Sequence, residues 1–480
     1  MRRTLALAVC LSGLAVAPVG AVPLLLASGT LGGTSDLSGL TGTLENGLAA
    51  NVLGGLGLGL AYAGAGTFLA IPDRGPNATA YNSAVDDTSS YISRFHTLTF
   101  SLTPNAGGGL PYTLTPTLRS TTLLSSPTAL TDGTGAGLGN KIDGTTPIGS
   151  GAPAENAAGK YYFSGRSDNF GPGNSGVATN GRFDPEGVRV SADGRSVFIS
   201  DEYGPYVRQF DRATGSLIKT FALPGNLNIA TLSPRGDVEI AGSSNGRVAN
   251  KGMEGLALTP DGKTLVGVMQ APLAQDAAIT ATKKLLRLVT IDIATGATKE
   301  YGYLLTGGSG VSEIVAVSNT RFLLDERDGK GLGDGTAAVV KQAFSIDITG
   351  AVDITGLTGA AAAAAAISKT QVVDIVALLA ANGVTAVNVP AKIEGFAFGA
   401  DTTYNGTVYH TLYVSNDNDF VPGLAGPNAF YVIGLTDADL PGFLATQFAA
   451  DVPEPAAWAL MIVGFGLVGT AARRRRLRLA

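Results

Sequence analysis

The chain is nearly free of the residues that usually advertise chemistry. It has one cysteine, two histidines and one tryptophan in 480 residues. Cys10 lies in the first segment, so the body has no disulfide and no cysteine-based metal site. His96 and His410 are too few and too far apart for a multi-histidine zinc centre, so any metal must be a hard, oxygen-liganded one. Aromatics are only 7% and charged residues 15%, whereas the 66 glycines are about twice the ordinary share. That balance argues against a helical bundle and for many short strands joined by tight turns. At 45% hydrophobic the chain is too apolar to be disordered and long enough for one large domain or two ordinary ones. No Gly-x-Ser-x-Gly elbow occurs, and both histidines sit in strand-like strings, which excludes the usual Ser-His hydrolase pattern. Net charge is −5; the two ends carry two and four net positive charges, which leaves the body near −11 and argues against nucleic acid as a partner.

Both ends read as addresses. Residues 1–21 combine Arg2-Arg3, an apolar run and the small residues Gly20-Ala21, the pattern of a secretory signal peptide. At the other end, Pro453-Glu454-Pro455, Trp458-Ala459, an apolar stretch over 456–472 and Arg473 to Arg476 follow in order. The stretch predicts a transmembrane segment held by its basic cluster. This end, 453–480, resembles a PEP-CTERM sorting signal. The resemblance implies export, handling by an exosortase-type enzyme, and display at the cell surface or release from it after transient membrane anchoring.

Between the ends, over 28–450, one pattern returns: a glycine or Glu-Gly pair, alternating apolar residues, a turn, a second apolar run and a polar or acidic cluster. Glu186-Gly187 leads to Asp201-Glu202-Tyr203, and Glu254-Gly255 leads to Val268. Glu313-Ile314 leads to Asp325-Glu326-Arg327, Glu394-Gly395 to Asp417-Asn418-Asp419, and Gly57-Leu58 to Asp73-Arg74. Asp-Gly turns inside this period predict hairpins, and the wide spacing predicts an all-β propeller. The Gly57 to Gly187 interval spans two periods, so the expectation is six blades, with seven as the alternative count. Two Asp-x-x-Thr-Gly strings, Asp211 to Gly215 and Asp292 to Gly296, are expected in turns between outer strands. The alanine run from Ala360 and the segment through Ala381 predict a helical insertion over about 360–383, with Ser368 as cap, Asn382-Gly383 as stop, and the rim as its better-supported place against a lid.

A residue repeated at the start of each inner strand becomes part of a ring around the propeller axis. Glu186, Glu254, Glu313 and Glu394 are therefore the candidate catalytic carboxylates, and with Asp201 and Asp417 the candidate ligands for calcium. Arg74, Arg182, Lys251, Arg327, Lys392 and Tyr203 are the candidate binders of an anionic small-molecule ester. The same strings, Phe183-Asp-Pro-Glu-Gly-Val, Ile199-Ser-Asp-Glu-Tyr-Gly-Pro, Met253-Glu-Gly-Leu-Ala-Leu, Ser312-Glu-Ile, Leu324-Asp-Glu-Arg-Asp and Ile393-Glu-Gly-Phe-Ala-Phe, resemble the phytase-like family with "esterase-like activity of phytase". The resemblance spans about residues 50–435. It implies a secreted propeller hydrolase of phosphoesters or carboxyl esters, with calcium expected by analogy to propeller phytases. The alternative from another class is a non-catalytic envelope or extracellular-matrix binding module whose acidic ring is structural.

Overall fold

Alternating apolar residues across tight turns make antiparallel meanders, and here they make five of them. In the computed structural model, residues 22–446 are described apart from 86, 134–139, 142, 168–173 and 205. The calls on 1–21 and 453–480, including the 456–472 span, lie outside the described residues. Among the described residues, no helix is long and apolar enough to cross a membrane.

Blade 1 consists of Gly59–Tyr62, Thr67–Ile71, Arg94–Pro104 and Tyr112–Leu123. Blade 2 follows with Pro185–Val190, Ser196–Asp201, Tyr206–Asp211 and Leu217–Ala222. Met253–Leu258, Thr264–Met269, Leu285–Asp292 and Thr298–Leu304 form blade 3. Gly310–Ala316, Arg321–Arg327, Lys341–Asp347 and Lys369–Asp374 form blade 4. In blade 5, Lys392–Phe398, Thr407–Asp417 and Asn428–Leu435 are completed by Leu24–Leu31 from the start of the body. That last pairing, Leu24 opposite Gly434 through Leu31 opposite Asn428, closes the ring with strands from both ends. The inner strands contact one another in the order blade 1 to 2 to 3 to 4 to 5 and back to 1.

Six blades are thus corrected to five. The long Gly57 to Gly187 interval holds the 11- and 12-residue outer strands of blade 1, and the described residues between 124 and 184 are mostly loop. Within that loop the described strands are only Ser125–Ser126 and Tyr161–Tyr162, because its Gly- and Thr-rich sequence offers no run of alternating apolar residues long enough for a meander. The core gives the same count. Five large apolar clusters each join two consecutive blades, for example Ile71, Phe95, Val188 and Phe210 between blades 1 and 2.

The helical insertion also needs correction. Helices cover Gly359–Ala364 and Ile375–Ala381, but Lys369–Asp374 is the fourth strand of blade 4. Thr370, Val372 and Val373 are β-branched, and the blade lacks an outer strand without them. The second helix is capped by Asp374, whose carboxylate accepts from the Ala377 amide at 2.9 Å, rather than by Ser368. It packs at the rim, with Ile375 and Leu379 buried between blades 4 and 5. Both Asp-x-x-Thr-Gly strings do form turns between third and fourth strands: Asp211 and Asp292 accept from the amide and hydroxyl of Thr214 and Thr295.

The Glu-Gly pair has a packing cause. A Cβ at Gly187 would lie 2.6 Å from the Leu256 amide nitrogen of the next blade, and one at Gly255 would lie 2.8 Å from the Glu313 Cα. Only glycine lets the inner strands come this close. The residue just before is skipped by the ladder: pairing passes from Met253 to Gly255, from Val311 to Glu313 and from Ile393 to Gly395. Such a bulge turns the skipped side chain toward the axis end.

Candidate functional site

The bulges produce a cavity of about 240 Å³ at one end of the axis. Two tiers of equivalent positions surround it. One tier comprises Leu58, Glu186, Glu254, Ser312 and Glu394, bulged in blades 2 to 5, and the end of each second strand, at its last residue or just past it, supplies Asp73, Glu202, Gln270, Arg327 and Asp417. Most of these line the cavity, with Arg74, Asn250, Lys251, Ser309, Gly310 and Lys392.

Glu186, Glu254 and Glu394 are therefore brought together as expected from the sequence, and Glu313 is not. In blade 4 the bulged residue is Ser312, and Glu313 occupies the slot filled by glycine in blades 2, 3 and 5. One residue of offset sends a side chain to the opposite face of a strand. Glu313 accepts from the Leu256 amide at 3.2 Å and pairs with Arg189 at 2.9 Å. Arg189 crosses the axis: its guanidinium donates to the carbonyls of Leu60 at 2.9 Å and Ile314 at 2.7 Å, from the inner strands of blades 1 and 4. This pair divides the carboxylate cavity from a smaller apolar recess at the other end of the axis, lined by Tyr62, Leu258, Val315 and Phe398. Burial pushes Glu313 up to about 7 against the pull of Arg189.

Cations from the chain neutralise one side of the cavity. Arg327 pairs with Glu394, lies 3.7 Å from Glu254 and donates to Ser312. Lys392 pairs with Asp417 at 3.1 Å and with Asp419. Arg74 donates to Asp184 at 2.8 Å and to Asn250, and lies 4.0 Å from Glu202. Glu186 is different. It is buried, its Oε2 has no hydrogen-bond partner, and it forms no ion pair among the described residues. Burial, then Glu254, Asp184, Glu202 and Asp73, push it well above the ordinary carboxylate value. Burial and the Glu394 charge push Glu254 up to about 8. Burial raises Glu202, Glu394 and Asp417 as well.

Three carboxylate groups have oxygens within 4.8 Å of one another: Glu186, Glu202 and Glu254; Asp73, Asp184 and Glu186; and Asp73, Asp417 and Asp419. In the third, the Lys392 ammonium already supplies the positive charge. The first two meet at Glu186, and their all-oxygen, acid-rich donor set with an unsatisfied oxygen fits one hard divalent cation.

Three other candidates stand behind the cavity wall. Asp201 is held by Arg208 at 3.1 Å, and Arg182 donates to Glu239 at 3.3 Å and to the Ser167 carbonyl at 3.0 Å. Tyr203 donates to the Gly165 carbonyl at 2.9 Å, with Arg74 and Arg182 over its ring. These three hold Gly165, Ser167 and Asp184 in place. Asp184, Asn250 and Gln270 are not among the site residues expected from the sequence, and Gln270 donates to Glu254 at 2.8 Å. Gln270 stands at the end of its second strand as Glu202 and Arg327 do, so strand-end position was the signal available for it. The histidines stay out: His96 is buried against Thr121 with its imidazole pushed down to about 3 by burial, and His410 lies between Asp401 and Asp437.

Residues 51–420 match the family described as "Esterase-like activity of phytase". The chain belongs to this phytase-like family. Residues 451–476 match the PEP-CTERM protein-sorting motif, which points to export, association with the cell envelope and processing by an exosortase-type sorting enzyme. An uncharacterized secreted protein of Arthroderma benhamiae is 32% identical over 148 residues, 27% of this chain and 28% of that protein. The chain thus spans about a quarter of that curated relative. Among solved structures, the PQQ-bound aldose sugar dehydrogenase of Streptomyces coelicolor is 12% identical, covering 85% of this chain and 97% of that one at a TM-score of 0.30. A 6-phosphogluconolactonase-like protein of Bacteroides uniformis is 10% identical, covering 76% and 80% at a TM-score of 0.27. Similarity this low tells nothing about the activity of this phytase-like chain.

Proposed function

We propose that the chain is an exported, envelope-sorted hydrolase of small anionic esters, phosphoesters or carboxyl esters, assisted by calcium and anchored transiently by its C-terminal segment. The observation that carries this reading is Glu186, a buried carboxylate with an unpartnered oxygen where two carboxylate groups meet, in the same cavity as Arg327, Lys251 and Lys392. Glu186, Glu202 and Glu254, with Asp73 and Asp184, would hold the ion. When bound, a hard divalent cation lowers the pKa of a coordinated water and polarises an ester oxygen.

The chain's own groups do the rest. Arg327, fixed between Glu394 and Glu254, faces the cavity with a guanidinium suited to two oxygens of an anionic group. Lys251 adds a cation at the mouth. Without the ion, burial and the Glu394 charge hold Glu254 at about 8; as a ligand it would be ionised, able to take a proton from a coordinated water. The Arg189–Glu313 pair closes the floor and keeps the cavity from draining through the axis.

The test is turnover of p-nitrophenyl phosphate, phytate and p-nitrophenyl acetate with calcium or with chelator, on the native protein and Glu254→Gln. Calcium-dependent release that Glu254→Gln abolishes at unchanged fold supports the hydrolase. No turnover with any ester, with calcium still raising the melting temperature, supports the non-catalytic binding module. Ester cleavage indifferent to chelator contradicts the role given to the metal.

A further inference from the structure

A second cavity, of about 450 Å³, opens beside the first and shares Asp73, Arg74, Asn250 and Lys392 with it. Its remaining walls differ in character from those of the carboxylate cavity: Gly75, Pro76, Asn77, Tyr81, Phe420 and Val421, with Asp419. Tyr81 is 62% exposed on the rim, and Phe420 is fixed edge-on against Tyr91 at 5.1 Å. The backbone here is held in an uncommon shape. Asn250, Asp419 and Phe420 have φ of 55°, 52° and 58°, and these three are among only five non-glycine residues with positive φ among those described. Left-handed side-chain-bearing residues clustered at one cavity mark a geometry that the surrounding structure enforces.

Charge limits what can enter. In the two cavities Lys392 is engaged by Asp417 and Asp419, Arg327 by Glu394, and Arg74 by Asp184. Lys251 is the one lining cation without an ion pair among the described residues. Lys251 and one divalent ion, with Arg327 already shared with Glu394 and Glu254, can balance a single anionic group. They cannot balance a ring that carries many, beside Asp73 and Asp419.

We infer that the side cavity is the subsite for the organic part of the substrate: a compact, uncharged cyclic group seated against Tyr81 and Phe420, carrying one anionic ester group that reaches the carboxylate cavity. This rests on the hydrolase reading above. It names monoesters of cyclic or aromatic alcohols as the substrate class and sets polyphosphorylated rings aside. Tyr81 is then a specificity residue that touches the leaving group and no reacting atom.

Calorimetry on the full protein in calcium tests this with two uncleavable probes, phenylphosphonate and methylphosphonate, and with phytate as the polyanionic ring, its heat corrected for any phosphate released. Phenylphosphonate should bind about tenfold more tightly than methylphosphonate, the size expected of an aromatic contact. Tyr81→Ala should erase that difference and leave methylphosphonate affinity unchanged, and phytate should bind more weakly than phenylphosphonate. Equal affinity for the two phosphonates, no effect of Tyr81→Ala, tightest binding of phytate, or no binding of any probe overturns the inference. Turnover separates it from the reading it rests on. Phosphonate binding with the Tyr81 effect but no cleavage of any ester defeats the hydrolase and leaves the subsite, whereas faster turnover of phytate than of p-nitrophenyl phosphate defeats the subsite and leaves the hydrolase.

Discussion

Replacing Arg189 by Met should destabilise the whole ring, because that one side chain ties carbonyls of different blades together at the axis. Its guanidinium serves the Leu60 and Ile314 carbonyls and the Glu313 carboxylate, all buried. The substitution keeps the apolar volume but leaves Glu313 without its cation and removes the guanidinium donors to two carbonyls. Breaking a buried ion pair from one side costs about 3–5 kcal/mol, because the abandoned charge stays desolvated. Part of that is recovered when Glu313 takes up a proton, so about 3 kcal/mol is the expected net loss. The assay is a denaturant titration rather than a melting scan, since for a chain this long each kcal/mol moves the melting temperature by only about 1 °C. Glu313→Gln in the same background should restore at least half of the loss by removing the stranded charge. A loss below about 1 kcal/mol for Arg189→Met, or a double variant no better than the single, would refute the axial role given to this pair.

Three further outcomes follow from the same geometry. Gly255→Ala forces a methyl against the Glu313 backbone at 2.8 Å and should cost about 2–3 kcal/mol in the same titration, whereas Gly296→Ala, with nothing near it, should cost about 1 kcal/mol through its positive φ alone. The raised carboxylates make calcium-free stability pH dependent: a group moved from 4.5 to about 8, as Glu254 is, contributes its stabilisation fully below 4.5 and loses it as pH rises through 8. Melting without calcium should therefore fall between about pH 5 and 8, and the rise produced by calcium should be larger at pH 8 than at pH 5, with protons released on binding. Lys392→Met removes the ammonium from between Asp417 and Asp419 and leaves the Asp73, Asp417 and Asp419 oxygens together without it. Calorimetry should then find a second calcium, and unchanged stoichiometry would contradict the account of that group.

The propeller was legible because its closeness is written in residue types. Glycine recurs at 187, 255 and 395 where one inner strand meets the next, and the glutamate before it recurs because the bulge turns it toward the cavity. Blade number was not legible, since spacing cannot tell a hidden meander from the long outer strands and loop that follow blade 1. Glu313 misled for a related reason. It was aligned by residue type with the other glutamates, although no glycine follows it, and that missing glycine was the sign of the one-residue offset. Lys369–Asp374 was drawn into a helix by the alanines before it, although its β-branched residues already argued for a strand. Arg189, a second charge beside Glu186 in the inner strand, was visible but had no assigned partner until the fold brought Glu313 across the axis.

The most direct test of the central claim is a calcium titration by calorimetry of chelator-treated protein, on the native chain and on Glu186→Gln. The account predicts one site on the native protein, lost in Glu186→Gln at unchanged fold. No calcium binding, or binding that Glu186→Gln leaves intact, would contradict the placement of the cation at the meeting point of the two carboxylate groups.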